Sequence, residues 1–210
     1  IHWHMFIENK VSYVAEDRHL QEIPWVQVKR SNGTTIEYWR TENRITPEQL
    51  APMKRHEMDC MDCHNRPAHS FEPPDLAVDR AMTGGKMSTT LPFIKSISVD
   101  ALSRKYPTAA AAHEGIPAEF KRFYAEKYPA IAGERAGDID VAAGTLLSIY
   151  DRNVFPEMNV SWDTYPSNIG HRYWQGCFRC HDGKHVAADG QVLSRECNLC
   201  HSEPKRGSQT

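Results

Sequence analysis

All six cysteines of this 210-residue chain fall in Cys-x-x-Cys pairs, and a histidine directly follows each pair. The three units read CMDCH (Cys60 to His64), CFRCH (Cys177 to His181) and CNLCH (Cys197 to His201). No odd thiol remains, and no disulfide framework is apparent. With 11 histidines in the chain, three such placements arise by chance with odds of roughly one in seven thousand. Whatever these units hold must shape the fold around them.

Cys-x-x-Cys-His is the attachment signature of c-type haem. The two thiols add across the two vinyl groups of a porphyrin, and the two-residue spacer sets their separation. The histidine that follows then lies beneath the iron and presents the proximal nitrogen. Two other chemistries share the cysteines. Cys177-x-x-Cys180, sixteen residues, then Cys197-x-x-Cys200 has the spacing of a zinc ribbon, and a lone Cys-x-x-Cys can be a redox dithiol. Neither has a general need for the closing histidine. The sequence therefore favours three haem c groups, with thioethers at Cys60, Cys63, Cys177, Cys180, Cys197 and Cys200. His64, His181 and His201 are the proximal iron ligands on this reading.

A six-coordinate iron needs a second axial ligand on its opposite face. His185 lies four residues after His181, and four residues reach at most about 14 Å. The chain cannot leave the proximal face, round the porphyrin and return within that length, so His185 as a ligand would serve a different haem. His69, five residues after His64, is constrained in the same way. His171, in NIGHRYWQGC, completes the expected distal set of His69, His171 and His185. His2 and His4 fall on one side of an extended segment and are candidates for an upstream or third haem. His19 and His113 read as ordinary polar residues, His56, four residues before Cys60, is a weaker ligand candidate, and Met58 ranks below the histidines as a ligand. Arg55, Arg66, Arg172, Arg179 and Lys184 lie near the units and are candidates to meet propionates, against a background in which most such residues face water.

The rest of the chain reads as α+β and loop-rich, with its core organised around the haems. Residues 1–57 form a β-rich region: VSYVAED is a strand, and PWVQVKRSNGTTIEYWR is a hairpin turning at Ser31-Asn32-Gly33. TPEQ, from Thr46 to Gln49, has capping-box spacing with Pro at the first helical position. Residues 58–74 hold the first haem-attachment segment. Residues 75–155 are helical, with Phe120, Phe123, Tyr124 and Tyr128 on one face and Ile139, Ala142, Ala143, Leu146, Leu147 and Tyr150 on another. Residues 156–210 form a two-haem region with a disordered tail, too polar and irregular to order without a core supplied from elsewhere.

Twenty-five basic against 27 acidic residues give no sign of a nucleic-acid partner. No apolar run approaches a membrane span and no signal peptide is present. The chain begins at Ile1, as a processed form or a fragment would.

The phrases MDCMDCHNRPAH, NVFPEMNVSWDTYPSNIGH, GCFRCHD and CNLCH, with IHWH and IPWV near the start, resemble the carboxyl-terminal part of NapC/NirT-type multihaem cytochromes. The resemblance implies an upstream membrane-anchored haem segment or quinol-oxidising unit that this chain lacks. It also implies other cytochromes as redox partners and a location on the periplasmic or extracytoplasmic face of the inner membrane. The function expected is electron relay through closely spaced bis-His haems, without catalysis. The alternative is a haem enzyme or gas sensor with one open iron, of peroxidase or nitrogen-oxyanion reductase type.

Overall fold

The computed structural model describes residues 4, 9–64 and 69–201. Those residues form a mixed α+β structure with one five-stranded antiparallel sheet and seven α-helices. The chain divides into two compact units. One joins residues 1–66 to residues 165–210, and the other comprises residues 67–164.

The first unit is built on the sheet, with strands β1 (Asn9–Val14), β2 (Trp25–Arg30), β3 (Thr35–Arg40), β4 (His56–Glu57) and β5 (His185–Ala187) in the order β4-β1-β2-β3-β5. The hairpin between β2 and β3 follows the sequence pattern, pairing Val26 with Tyr38 and Val28 with Ile36. Its turn places Gly33 at φ +83°, a left-handed conformation that glycine adopts without a Cβ penalty. Alternation sends Val11, Tyr13, Val26, Val28 and Tyr38 to one buried cluster. Val14 and Trp25 form another with Leu50, the last residue of α1 (Pro47–Leu50). The capping box of α1 is present as the sequence predicts: the Thr46 hydroxyl accepts from the Gln49 N–H at 3.3 Å, and the Gln49 side chain accepts from the Thr46 N–H at 2.8 Å. The short β5 pairs with β3, bringing Arg40 opposite His185. This pairing joins the last part of the chain to the first.

The second unit holds α3 (Pro74–Thr83), α4 (Ile94–Ser103), α5 (Ala109–Lys127), α6 (Pro129–Glu134) and α7 (Ala136–Asn153). In α5 the residues Ala112, Ile116, Phe120 and Tyr124 recur every four positions, and all are fully buried. They pack with Ile139, Ala142, Leu146 and Tyr150 of α7 in one core. The helix starts earlier than the sequence suggests, so Pro117 lies inside it and removes one backbone hydrogen bond. No described helix is long and apolar enough to cross a membrane.

This core makes a prediction about alkaline pH. Burial pushes the Tyr124 phenol, which donates to the Pro92 carbonyl at 2.9 Å, up to about 12. Burial raises Tyr106 and Tyr150 in the same way. Unfolded tyrosines release their protons near about pH 10, while these hold theirs, so the unfolded state gains stability as pH rises through that window. The stabilisation is therefore complete below about pH 10 and is lost towards about pH 12. The thermal midpoint of the helical signal in circular dichroism should fall between about pH 9 and about pH 11. An unchanged midpoint would count against buried, protonated phenols.

A cavity lined by thiols and imidazoles in the sheet unit

The three units share one local geometry. In each, the backbone N–H of the closing histidine donates to the carbonyl of the first cysteine: His64 to Cys60 at 2.8 Å, His181 to Cys177 at 2.9 Å and His201 to Cys197 at 3.3 Å. One tight turn thus carries both thiols and delivers the imidazole at its end. The first unit is the helical turn α2 (Cys60–Cys63), fixed by a reciprocal cap. The Asp59 carboxylate accepts from the Met61 N–H, and the Asp62 carboxylate accepts from the Asp59 N–H, both at 2.7 Å. The Asp-x-x-Asp spacing that builds this cap was present in the sequence. The other two turns are of 3-10 type, Gly176–Arg179 and Cys197–Leu199.

Thiols from all three turns line a cavity of about 510 Å³ within the sheet unit. Its floor is the apolar sheet face of Val11, Val26 and Val28, closed by Met58 and Leu193. Around it stand Cys60, Cys63 and His64 of the first unit, Cys177, Cys180 and His181 of the second, and Cys200 of the third. His4 also lines the cavity, its ring 5.8 Å from that of His181. Cys197 and His201 lie outside the lining and are exposed. Among the described residues, no group of three or more His, Cys, Asp or Glu side chains is arranged to hold a bare metal ion.

Burial favours the neutral forms of Cys63, Cys177, Cys180 and His181. Burial pushes the Cys180 thiol up to about 12, against the lowering effect of Arg179. Burial also raises Cys63 and Cys177, the latter helped by its contact with the Cys200 thiol. Burial lowers His181, so its imidazole is held in the neutral form. His181 Nδ1 lies 3.2 Å from the Ser194 carbonyl. A carbonyl can only accept, so Nδ1 carries the proton and Nε2 keeps its lone pair. That is the tautomer a metal-bound histidine needs, with its far nitrogen oriented by a carbonyl.

A neutral imidazole, paired thiols and an apolar wall together fit a flat, apolar, iron-bearing macrocycle. A volume of about 510 Å³ lies within the roughly 300–1,000 Å³ of ordinary ligand sites. Arg30, at the end of β2, also lines the cavity and could meet an acidic edge there. The sequence did not single it out, because a basic residue closing a strand reads as a solvated end.

The remaining sequence candidates are dispersed. His185 is fully buried away from the cavity lining, with Nδ1 2.9 Å from the Asp182 carboxylate and Nε2 2.8 Å from the Ile23 carbonyl. His171 is exposed, its ring 4.7 Å from Phe178. His69 belongs to the helical unit, where Nε2 lies 2.7 Å from the Arg152 carbonyl and the ring packs on Phe71. His113 forms an exposed pair with Asp151 at 2.7 Å, and His56 stacks on Tyr13. His2 and Arg66 lie outside the described residues. Of the basic side chains near the units, Arg55 covers the Trp25 ring, Arg172 lies over Tyr173 and Lys184 pairs with Glu42. Arg179 turns inward to backbone carbonyls.

No protein-family model matches the chain, and no solved structure matches it. Over 201 residues, 96% of its length, the chain is 43% identical to the cytochrome c-type protein ImcH of Geobacter sulfurreducens. The match covers 39% of that protein. Nearly the whole chain is thus similar to part of a c-type cytochrome and spans well under half of that protein's length.

Proposed function

We propose that this chain is the electron-relay portion of a longer multihaem c-type cytochrome, carrying three haem c groups and acting as a carrier rather than an enzyme. Haem c, when bound, supplies an iron that accepts and releases one electron without leaving the protein. The thiols at Cys60 and Cys63, Cys177 and Cys180, and Cys197 and Cys200 hold the three groups. His64, His181 and His201 supply proximal nitrogens, with the Ser194 carbonyl orienting His181. The apolar sheet face excludes water, and Arg30 is placed for a propionate. Distal nitrogens come from the set His69, His171, His185 and His4, of which His4 lines the cavity. The relay lies on the extracytoplasmic side, since c-type maturation normally occurs there. It draws electrons from a membrane-anchored, quinol-oxidising segment of NapC/NirT type and passes them to other cytochromes.

The observation that carries this reading is the convergence of thiols from all three Cys-x-x-Cys-His units on one apolar-walled cavity. The test is to express the chain with the c-type maturation system, then apply a pyridine haemochrome assay, intact mass and low-temperature EPR. Three covalent haems per chain with low-spin signals are expected. A chain that matures with zinc or free thiols in their place would sink the proposal.

A further inference from the structure

Arg179 fills the second variable position of CFRCH, yet it is only 5% exposed. Charged side chains are seldom buried to that degree without a dedicated set of partners. Its guanidinium spends no donor on a carboxylate; among the described residues it forms no ion pair. Nε donates to the Gly176 carbonyl, Nη1 to the Leu20 carbonyl and Nη2 to the Asp62 carbonyl, each at 3.0 Å. Leu20 precedes β2, Asp62 lies within the first attachment turn and Gly176 opens the second. One planar fork thus ties three segments that are distant in sequence, a geometry that the point charge of lysine cannot reproduce.

The neighbours reinforce this knot. The Asn168 side chain donates to the same Asp62 carbonyl at 3.0 Å and accepts from Gln21 at 3.2 Å. Gly176, at φ +57°, passes so close to Gly170 that a Cβ would stand 2.2 Å from its carbonyl oxygen. Tyr13, fully buried on β1, donates its hydroxyl to the Asp62 carboxylate. The Arg179 charge acts on the Tyr13 hydroxyl and on the thiols of Cys63, Cys177 and Cys180, lowering the pKa of each against the effect of burial. It therefore sits where two attachment turns meet, in surroundings that screen it poorly.

We propose that Arg179 is a positioning residue for the relay, building on the haem reading above: its fork locks the first two attachment turns onto one cavity, and its fixed charge raises the reduction potential of the haem beside it. A reduced iron site carries one positive charge fewer than an oxidised one, so a fixed buried cation favours the reduced state.

The test compares the matured wild-type chain with Arg179→Gln and Arg179→Lys, using haem loading by pyridine haemochrome and individual midpoints by spectroelectrochemistry. Arg179→Gln should show reduced loading, and in its fully loaded fraction one midpoint should move to more negative values while the others stay. Arg179→Lys keeps the charge and should restore that midpoint towards wild type, even where its loading is incomplete. Full loading of Arg179→Gln with every midpoint unmoved would overturn the proposal. Equal midpoint shifts in both variants would overturn the role of the charge. A wild-type chain without covalent haem would instead count against the haem reading itself, and would be seen before any variant is compared.

Discussion

A chain carrying Cys177→Ser and Cys180→Ser should mature with two haems in place of three and should loosen its sheet unit while the helical unit stays folded. On the proposed reading the two thiols would be the only covalent hold of the second turn on its haem, and both line the shared cavity. Without the group these thiols would hold, part of the apolar sheet face that lines the cavity stays in water, and the sheet unit loses that packing. The walls are β1, β2 and β3, so their amides should exchange faster. The helical unit has its own core of Phe120, Tyr124, Leu146 and Tyr150, without residues from the sheet unit. Hydrogen exchange read by mass spectrometry distinguishes the outcomes. Fast exchange in β1–β3 with unchanged α5 and α7 is expected. Equal loosening of α5 would refute the independence of the two cores, and a retained third haem would refute the attachment.

Local patterns in the sequence carried most of the elements. The Asn-Gly turn, the alternation of Val26 and Val28, the Thr46 capping box and the apolar columns of α5 and α7 each state their own geometry within a few residues. The assembly of the sheet unit was not legible in this way. Strand β5 is three residues long, too short to alternate, and its partner β3 lies almost 150 residues earlier. Only the finished sheet shows that the two ends of the chain build one unit. The site divides along the same line. The thiols and the histidine that closes each unit are legible as a motif, and in the structure each set lies on one tight turn. The destinations of Arg179 and His185 do not, because their partners are backbone carbonyls of Leu20, Asp62 and Ile23, and a carbonyl is present at every position of every sequence.

His185→Leu should destabilise the sheet unit of the chain before haem attachment by about 2 kcal/mol, although leucine matches the histidine closely in size. His185 is fully buried, and both ring nitrogens face oxygen acceptors: the Asp182 carboxylate at 2.9 Å and the Ile23 carbonyl at 2.8 Å. Its backbone N–H also donates to Asp182, and its carbonyl accepts from the Leu193 N–H. Leucine leaves the Ile23 carbonyl and the Asp182 carboxylate without an imidazole partner. A buried acceptor left unpaired costs about 1–3 kcal/mol. The Asp182 side chain keeps about a fifth of its surface in water and still accepts from the Lys184 N–H, so its share of the loss is the smaller. His185→Asn should recover part of the loss, because its amide can donate to one of the two oxygens. Urea denaturation of the haem-free chain reads this effect, and a change below about 1 kcal/mol would remove the latch role. The loaded variant then separates packing from ligation. A His185→Leu chain whose EPR remains wholly low-spin assigns His185 to the latch alone, and Ile23 to Asp182 becomes the contact that seats the second attachment turn against the sheet. A new high-spin signal assigns it to an iron as well, which requires the loop from His181 to β5 to release both oxygens when the haem is bound.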